Sequence, residues 1–544
     1  MNTKNKKKYY ITTPIYYPSG AWHIGHCYTT VACDAIARFK RMQGYEVFYL
    51  TGTDEHGQKI LKNATEKGIT PIEFVNPLVE NIKELWSVLD ISYDGFIRTT
   101  DEFHKKAVQN IFTRLYEKGD IYKSVYKGKY CAPCETFLTE TQLKDGNCPD
   151  CNREVNDAEE EAYFFRLSKY GEQIKKHLSE TDFLVPKARA NEMIKFIEAG
   201  LEDLAVTRTS FDWGVKVPFD EKHVIYVWID ALSNYITALG HFGKENGECS
   251  VMCEPRDKKT NNNTTLHSPL STLQFWPADL HMMAKEITRF HAIIWPAILL
   301  SLELSLPKQI YSHGWILFDG GKMSKSVGNV VDPFILSERY SADALRYFLL
   351  SELSYGQDSN YSSEQFLTKV NSDLVNDLGN LTKRTLSMVK QYFKGKVKIG
   401  KETEHCKDFI EKVNALNGQV DEKIKDNDVA KAISTIFSLI SHSNKYIDLT
   451  APWALNKEGK FDLLSSVLFN LLEAIRVSST LLKPFLTKTP SRIFEAIKIK
   501  EPTDFKKALH NPKGSYNVGT NEAVMLFPRL DIKKELEELA SLAE

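Results

Sequence analysis

The 544-residue chain has no run of about eighteen apolar residues, which excludes a helical membrane span. Its basic start, Met1-Asn-Thr-Lys-Asn-Lys-Lys-Lys8, has no apolar stretch behind it, which excludes a secretory signal and makes the cytoplasm the expected compartment. Nine cysteines are an odd count spread over a long chain, so a disulfide framework is excluded too. Neither charge sign dominates: the formal net charge is −1, and only local charge can speak about partners. Gly-x-Gly-x-x-Gly and the Walker A pattern are both missing, so a bound nucleotide must be held by other means. No internal repeat is evident, which excludes a solenoid.

What is present is ordinary globular material, 42% hydrophobic and 26% charged, long enough for two to four domains. The first ninety residues alternate strand and helix signals. Tyr9–Ile15 reads as a strand, His23–Met42 as a helix, Glu46–Thr51 as a second strand and Pro77–Leu89 as a second helix. Such alternation predicts a parallel sheet with crossover helices, binding its ligand at the carboxyl ends of the strands. From about residue 115 the pattern breaks for a hundred residues, as an inserted module would break it. It returns at His223-Val-Ile-Tyr-Val-Trp-Ile229, read as a strand, and continues through Trp276–Leu300 and Gln309–Phe318. Between these, the polar tract within 243–272 reads as a surface loop. After about residue 370 Leu, Ile and Val recur at helical spacing, which predicts a separate helical domain. The expected divisions are 1–114, 115–216, 217–330, 331–369 and 370–544. The expected fold class is α/β, with a Rossmann-like catalytic domain, an insertion and an all-α bundle.

Two short signatures carry chemistry. His23-Ile-Gly-His26 stands between a strand and the start of a helix, where backbone N–H groups and the helix dipole favour an anion. Gly25 permits close approach to the backbone. Lys322-Met-Ser-Lys-Ser326 follows Asp319-Gly-Gly321, so glycine hinges precede a cationic loop able to neutralise a leaving pyrophosphate. Each alone is equally a solvated surface feature. Cys131-x-x-Cys134 and Cys148-x-x-Cys151 form a third pattern, which suits four thiolates around one structural zinc with no open coordination position.

Together the first two signatures resemble those of class I aminoacyl-tRNA synthetases. Pro14–Gly20, Thr51-Gly-Thr-Asp-Glu-His-Gly57, Thr207–Gly214, Tyr226–Tyr235, Phe290–Pro296 and His313-Gly-Trp315 narrow the resemblance to the methionyl-tRNA synthetase family. It extends in order over nearly the whole chain. The resemblance implies activation of methionine with ATP and Mg2+ to methionyl-adenylate, then transfer to the 3′-terminal adenosine of tRNA(Met). By it, His23, His26, Lys322 and Lys325 are catalytic, and Gly25, Ser324, His313, Gly314 and Trp315 join them in binding ATP. Asp54 takes the substrate ammonium, and Ile15, Tyr17, Trp228, Ala231, Leu232, Tyr235, Ile287 and His291 line the methionine pocket. A thioether offers few hydrogen bonds, so aromatic and aliphatic walls suit it. One departure stands out: Ala284 occupies a position where the family usually has glycine.

In the tail, Lys369, Lys383, Arg384, Lys390, Lys394, Lys396 and Lys398 face only Asp373 and Asp377 between Phe366 and Gly400, an excess suited to a phosphate backbone. The resemblance makes Asn380, Arg384 and Trp453 the readers of the CAU anticodon. With no further tRNA-binding domain evident after Phe527-Pro-Arg529, the expectation is a monomer. Competing readings are another class I synthetase, a nucleotidyltransferase that uses no tRNA, and a non-catalytic tRNA-binding scaffold.

Overall fold

A computed structural model of the chain describes residues 6–131, 136–138, 143–149, 151–243, 272–318, 321–322, 332–351, 356–401, 404–519 and 524–543. The N-terminal part is built on six strands: β1 (Lys8–Thr12), β2 (Glu46–Thr53), β3 (Gly95–Arg98), β4 (Leu184–Val185), β5 (Leu280–Ala284) and β6 (Ile310–His313). They form one sheet in the order β3-β2-β1-β5-β6-β4, with every pairing parallel. From β1 the chain runs outward to β2, and β5 returns on the other side of β1. The crevice beyond their carboxyl ends is the switch point where such sheets hold ligands.

Burial covers β1 from Tyr10 onward and β2 from Val47 onward, which is why their buried stretches, such as Val47–Leu50, show no polar alternation. Helix α1 (Ile24–Met42) starts at His23 and packs its long buried face against the sheet. Short α2 (Gln58–Glu66) follows the Asp54 loop, and α3 (Pro71–Val88) follows α2. The start of α3 lies six residues before the expected Pro77. Thr70 and Glu73 form a reciprocal capping box with Pro71 behind the cap, and Pro77 is carried inside the helix.

The segment from Ile121 to Ala205 forms a separate four-stranded sheet and two helices, and also sends β4 back to the edge of the main sheet. The run His223–Ile229 is not one strand. Asp220–Ile225 is an antiparallel strand, and Tyr226 in an extended conformation caps α4 (Val227–Thr237). Its β-branched and aromatic residues gave the strand pattern, but Asp230 and Asn234 find buried partners only from a helix. The polar tract 244–271 lies outside the described residues.

Helices predominate after Ser363, and one apolar core runs from α1 through the helix Ala342–Ser351 into Phe461–Leu482. A fully buried ion pair crosses this junction. Arg346 lies 2.8 Å from Asp34 of α1 and donates to the carbonyls of Leu89, Pro484 and Phe485. Burial would raise the Asp34 carboxyl, but Arg38, Arg346 and Ser92 outweigh it and hold it well below the usual range. Among the described residues, no helix is long and apolar enough to cross a membrane.

Candidate active site

The site is assembled from the loops that leave β1, β2, β5 and β6. Beyond β1, Tyr16 donates its N–H to Gly52, and Asp54 donates its N–H back to Tyr16, so the β1 and β2 loops are stitched together. His23 then caps α1. Its Nδ1 accepts from the Gly25 N–H at 3.1 Å, while His26 Nδ1 accepts from the His23 N–H at 3.3 Å. An accepting Nδ1 fixes the neutral tautomer with its proton on Nε2, so both rings carry a donor away from the backbone. Gly25 has a steric reason as well: a Cβ there would lie 2.9 Å from the His23 ring.

A cavity of about 310 Å³ lies between this loop and α4. Asp54, Ile15, Tyr17, Trp228, Ala231, Leu232, Tyr235, Ile287 and His291 all line it, so nine residues scattered over 277 positions meet in one place. Pro14, Lys59, Val227 and Asn234 complete the wall. Trp228 is stacked on Phe290 with ring centroids 3.5 Å apart. His291 Nδ1 donates to the Ile287 carbonyl at 2.9 Å, which leaves Nε2 to accept from the Tyr235 hydroxyl at 2.7 Å. Burial pushes the His291 imidazole down to about 4 and His281 well below its usual range, so both are neutral at pH 7. An apolar, aromatic wall with Asp54 as its one carboxylate suits an apolar side chain attached to an ammonium group.

Buried polar partners brought from far apart in the chain hold these walls together. Asp230 of α4 is buried and accepts from His56 Nδ1 at 2.6 Å and His104 Nε2 at 2.9 Å. Burial would raise its carboxyl, but the two histidines outweigh this and bring it down to about 2. His56 is two residues from Asp54, so one carboxylate ties the Asp54 loop to the helix bearing Trp228 and Tyr235. Glu55 between them is gripped by Arg98 through two bonds of 2.7 and 2.9 Å. The Asp-Glu-His spacing was the available signal, since a polar triplet leaving a buried strand must find buried partners.

The cavity opens into a second cleft, of about 690 Å³, lined by His23, Gly25, His26, His313, Gly314 and Trp315. Ile15, Tyr17 and Ile287 are shared by both. His313 Nδ1 donates to the Gly314 carbonyl and its Nε2 accepts from Thr29 of α1 at 2.7 Å, which locks the β6 loop to the helix that His23 starts. Gly314 passes so near Gln357 that a Cβ would fall 2.1 Å from its backbone. Trp315 donates to Glu286 through its indole and to Asp358 through its backbone. Ala284 ends β5 on the same wall. Lys322 lies in a short strand, Gly321–Lys322, whereas Ser324 and Lys325 lie outside the described residues.

Away from the cleft, the thiols of Cys131, Cys148 and Cys151 lie within 4.8 Å of one another, with Cys131 and Cys151 3.5 Å apart. Sulfurs at 2.3 Å from a tetrahedral zinc stand about 3.8 Å apart, so the cluster fits such an ion. Cys134 lies outside the described residues. In the helical half, Asn380 opens the helix Asn380–Phe393 and Arg384 pairs with Asp448 at 3.0 Å. Trp453 is 50% exposed just past the helix Val429–Thr450.

A parallel sheet with a histidine-capped helix at its switch point, a nucleotide-sized cleft and an attached helical domain defines a class I aminoacyl-tRNA synthetase. The family described as class I tRNA synthetases (M) matches residues 9–161 and 156–386, and the anticodon-binding domain of methionyl-tRNA ligase matches 396–529. A methionine–tRNA ligase of Caldanaerobacter subterraneus is 52% identical over 542 residues, covering 99% of this chain and 81% of that one. One from Clostridium perfringens is 52% identical over 546 residues, 99% and 80% of the two chains. The solved methionyl-tRNA synthetase of Mycobacterium tuberculosis in complex with methionyl-adenylate superimposes with a TM-score of 0.86 at 37% identity, covering 96% of this chain and all of that one. The chain belongs to the methionyl-tRNA synthetase family, and its activity is ligation of methionine to tRNA.

Proposed function

We propose that the chain performs this ligation in two steps, at the two joined cavities, with the residues named above in distinct roles. The observation that carries the reading is the wall of Pro14, Ile15, Tyr17, Lys59 and Ile287 shared by an aromatic pocket containing Asp54 and a cleft rimmed by His23 and His26. Asp54 holds the methionine ammonium, and Ile15, Tyr17, Trp228, Ala231, Leu232, Tyr235, Ile287 and His291 enclose the thioether side chain. The carboxylate is thereby turned toward the cleft, where it attacks the α-phosphorus of ATP in line. No covalent enzyme intermediate is needed, so positioning and charge stabilisation carry the rate. The Nε2–H donors of His23 and His26 meet the negative charge that grows on the α-phosphate. Lys322 and Lys325, with Ser324, hold the β- and γ-phosphates, with Mg2+ accompanying ATP. His313, Gly314 and Trp315 shape the wall for the nucleoside.

The adenylate then yields its methionyl group to the tRNA 3′ end. Asn380, Arg384 and the exposed indole of Trp453 read the anticodon, by the stacking and edge contacts that suit splayed single-stranded bases. The related Mycobacterium tuberculosis enzyme is described with methionyl-adenylate bound, which supports the same intermediate here. Cys131, Cys134, Cys148 and Cys151 hold one zinc that supplies rigidity, because four thiolates leave it no open position for chemistry.

Replacing Asp54 by Asn tests the pocket assignment. The variant keeps the shape and loses the charge, so the methionine KM in ATP–pyrophosphate exchange rises ten-fold or more while the ATP KM stays put. An unchanged methionine KM removes Asp54 from the ammonium site.

A further inference from the structure

The nucleotide cleft contains a residue from outside the catalytic sheet. Arg153 lines it beside His23, His26 and Trp315, although it belongs to the cysteine cluster of the inserted module. Among the described residues on that wall, Arg153 and Lys59 bring formal positive charge and Glu286 brings negative charge. Glu286 is engaged by the Trp315 indole. A cleft that takes polyanionic substrates needs cations, and a guanidinium can bind two phosphate oxygens at once in a fixed planar geometry.

The backbone around Arg153 explains how it is held there. Cys148 donates its N–H to the Arg153 carbonyl at 2.9 Å, and Asn152 donates back to the Cys148 carbonyl at 2.8 Å. Asn152 takes the left-handed conformation, φ 56°, that closes this turn. Asn147 pairs with Glu154 as an isolated bridge on the far side. The turn also carries the thiols of Cys148 and Cys151. An ion bound to them would fix the backbone from which Arg153 projects, two residues beyond the last ligand.

We infer that Arg153 is a phosphate-binding residue of the active site, and that the cysteine-held metal serves the reaction by fixing this arginine over the cleft. The inference rests on the two-cavity reading above. The ligand chemistry is a phosphate oxygen, from either the ATP triphosphate or the phosphodiester backbone of the tRNA acceptor end.

The test compares Arg153→Ala and Arg153→Lys with the wild type, each carrying its metal as verified by metal analysis. If the triphosphate is the ligand, the alanine variant shows an ATP KM in exchange without tRNA raised ten-fold or more. If the acceptor end is the ligand, exchange is unchanged. In that case the tRNA KM in charging rises, and the salt dependence of tRNA affinity falls by about one phosphate contact. In either case lysine restores part of the effect through charge, but not the bidentate geometry. Exchange, charging and tRNA affinity all equal to wild type overturn the inference. So does an alanine variant that has lost its metal, because the arginine is then part of the knuckle's own structure. Absence of methionine-dependent exchange in the wild type would instead sink the two-cavity reading and leave the phosphate contact to the tRNA-affinity arm.

Discussion

His291→Gln separates a proton from a shape at the heart of the pocket. Glutamine can accept from the Tyr235 hydroxyl and donate to the Ile287 carbonyl, as His291 does, but it does not titrate. In the folded enzyme burial pushes the imidazole from its ordinary 6.5 down to about 4. A histidine with a lowered folded value favours the fold only while neutral. Its contribution is therefore complete above pH 6.5 and is lost as pH falls toward 4. Each pH unit in that window costs about 1.4 kcal/mol, which gives about 3 kcal/mol by pH 4 and about 2–3 kcal/mol by pH 4.5. The Asp230 carboxyl acts in another window: its folded value of about 2 lies below the ordinary 3.8, so its stabilisation is lost only below 3.8. Denaturant titrations followed by tryptophan fluorescence at pH 7.5 and 4.5 read the difference between variant and wild type. The glutamine variant gains about 2–3 kcal/mol on the wild type between the two pH values. A difference that does not change with pH refutes the claim that this histidine is buried neutral. His281 is lowered by burial and also by the neighbouring His291, so the comparison reads the pair rather than His291 alone.

His26→Ala and Lys325→Ala each lower the rate of ATP–pyrophosphate exchange by about 10²–10³-fold, the usual cost of losing one preorganised donor, with far-UV circular dichroism unchanged. Near-normal exchange by either variant removes that residue from the mechanism. Metal analysis of the purified protein finds one zinc per chain, and Cys148→Ser loses it; a metal-free wild type contradicts the four-cysteine site. Trp453→Ala raises the tRNA KM in charging by about 5- to 150-fold and leaves tRNA-independent exchange alone, because stacking on one base contributes about 1–3 kcal/mol. Equal charging by variant and wild type excludes this indole from the anticodon contact.

The loops carrying His23-Ile-Gly-His26 and Asp54 were legible because they sit where strands end, whereas the pocket residues were named only through the family resemblance. The β1 and β2 patterns, the His-Ile-Gly-His turn and the Asp54 loop are local, and local signals survive without coordinates. Helix α3 begins six residues before the expected Pro77 because the Thr70–Glu73 capping box, with Pro71 at the first helical position, sets its start. The run from His223 to Ile229 looked like a strand because residue preferences are a weak prior beside tertiary partners. Asp230 needs a helix to meet both His56 and His104, from positions 174 and 126 residues away. Long-range pairings of that kind were illegible in principle. The same holds for Arg346 joining α1 to the helical domain, and for Arg153 arriving in the cleft from the cysteine cluster.

Amino-acid-dependent ATP–pyrophosphate exchange, run with each of the twenty amino acids in the absence of tRNA, tests the central claim most directly. Exchange driven by methionine above the other nineteen is the predicted result, since shape and sulfur–aromatic contact in the Asp54 pocket favour a thioether. Preference for a different amino acid, or silence from folded and zinc-loaded protein, contradicts the assignment of the two cavities.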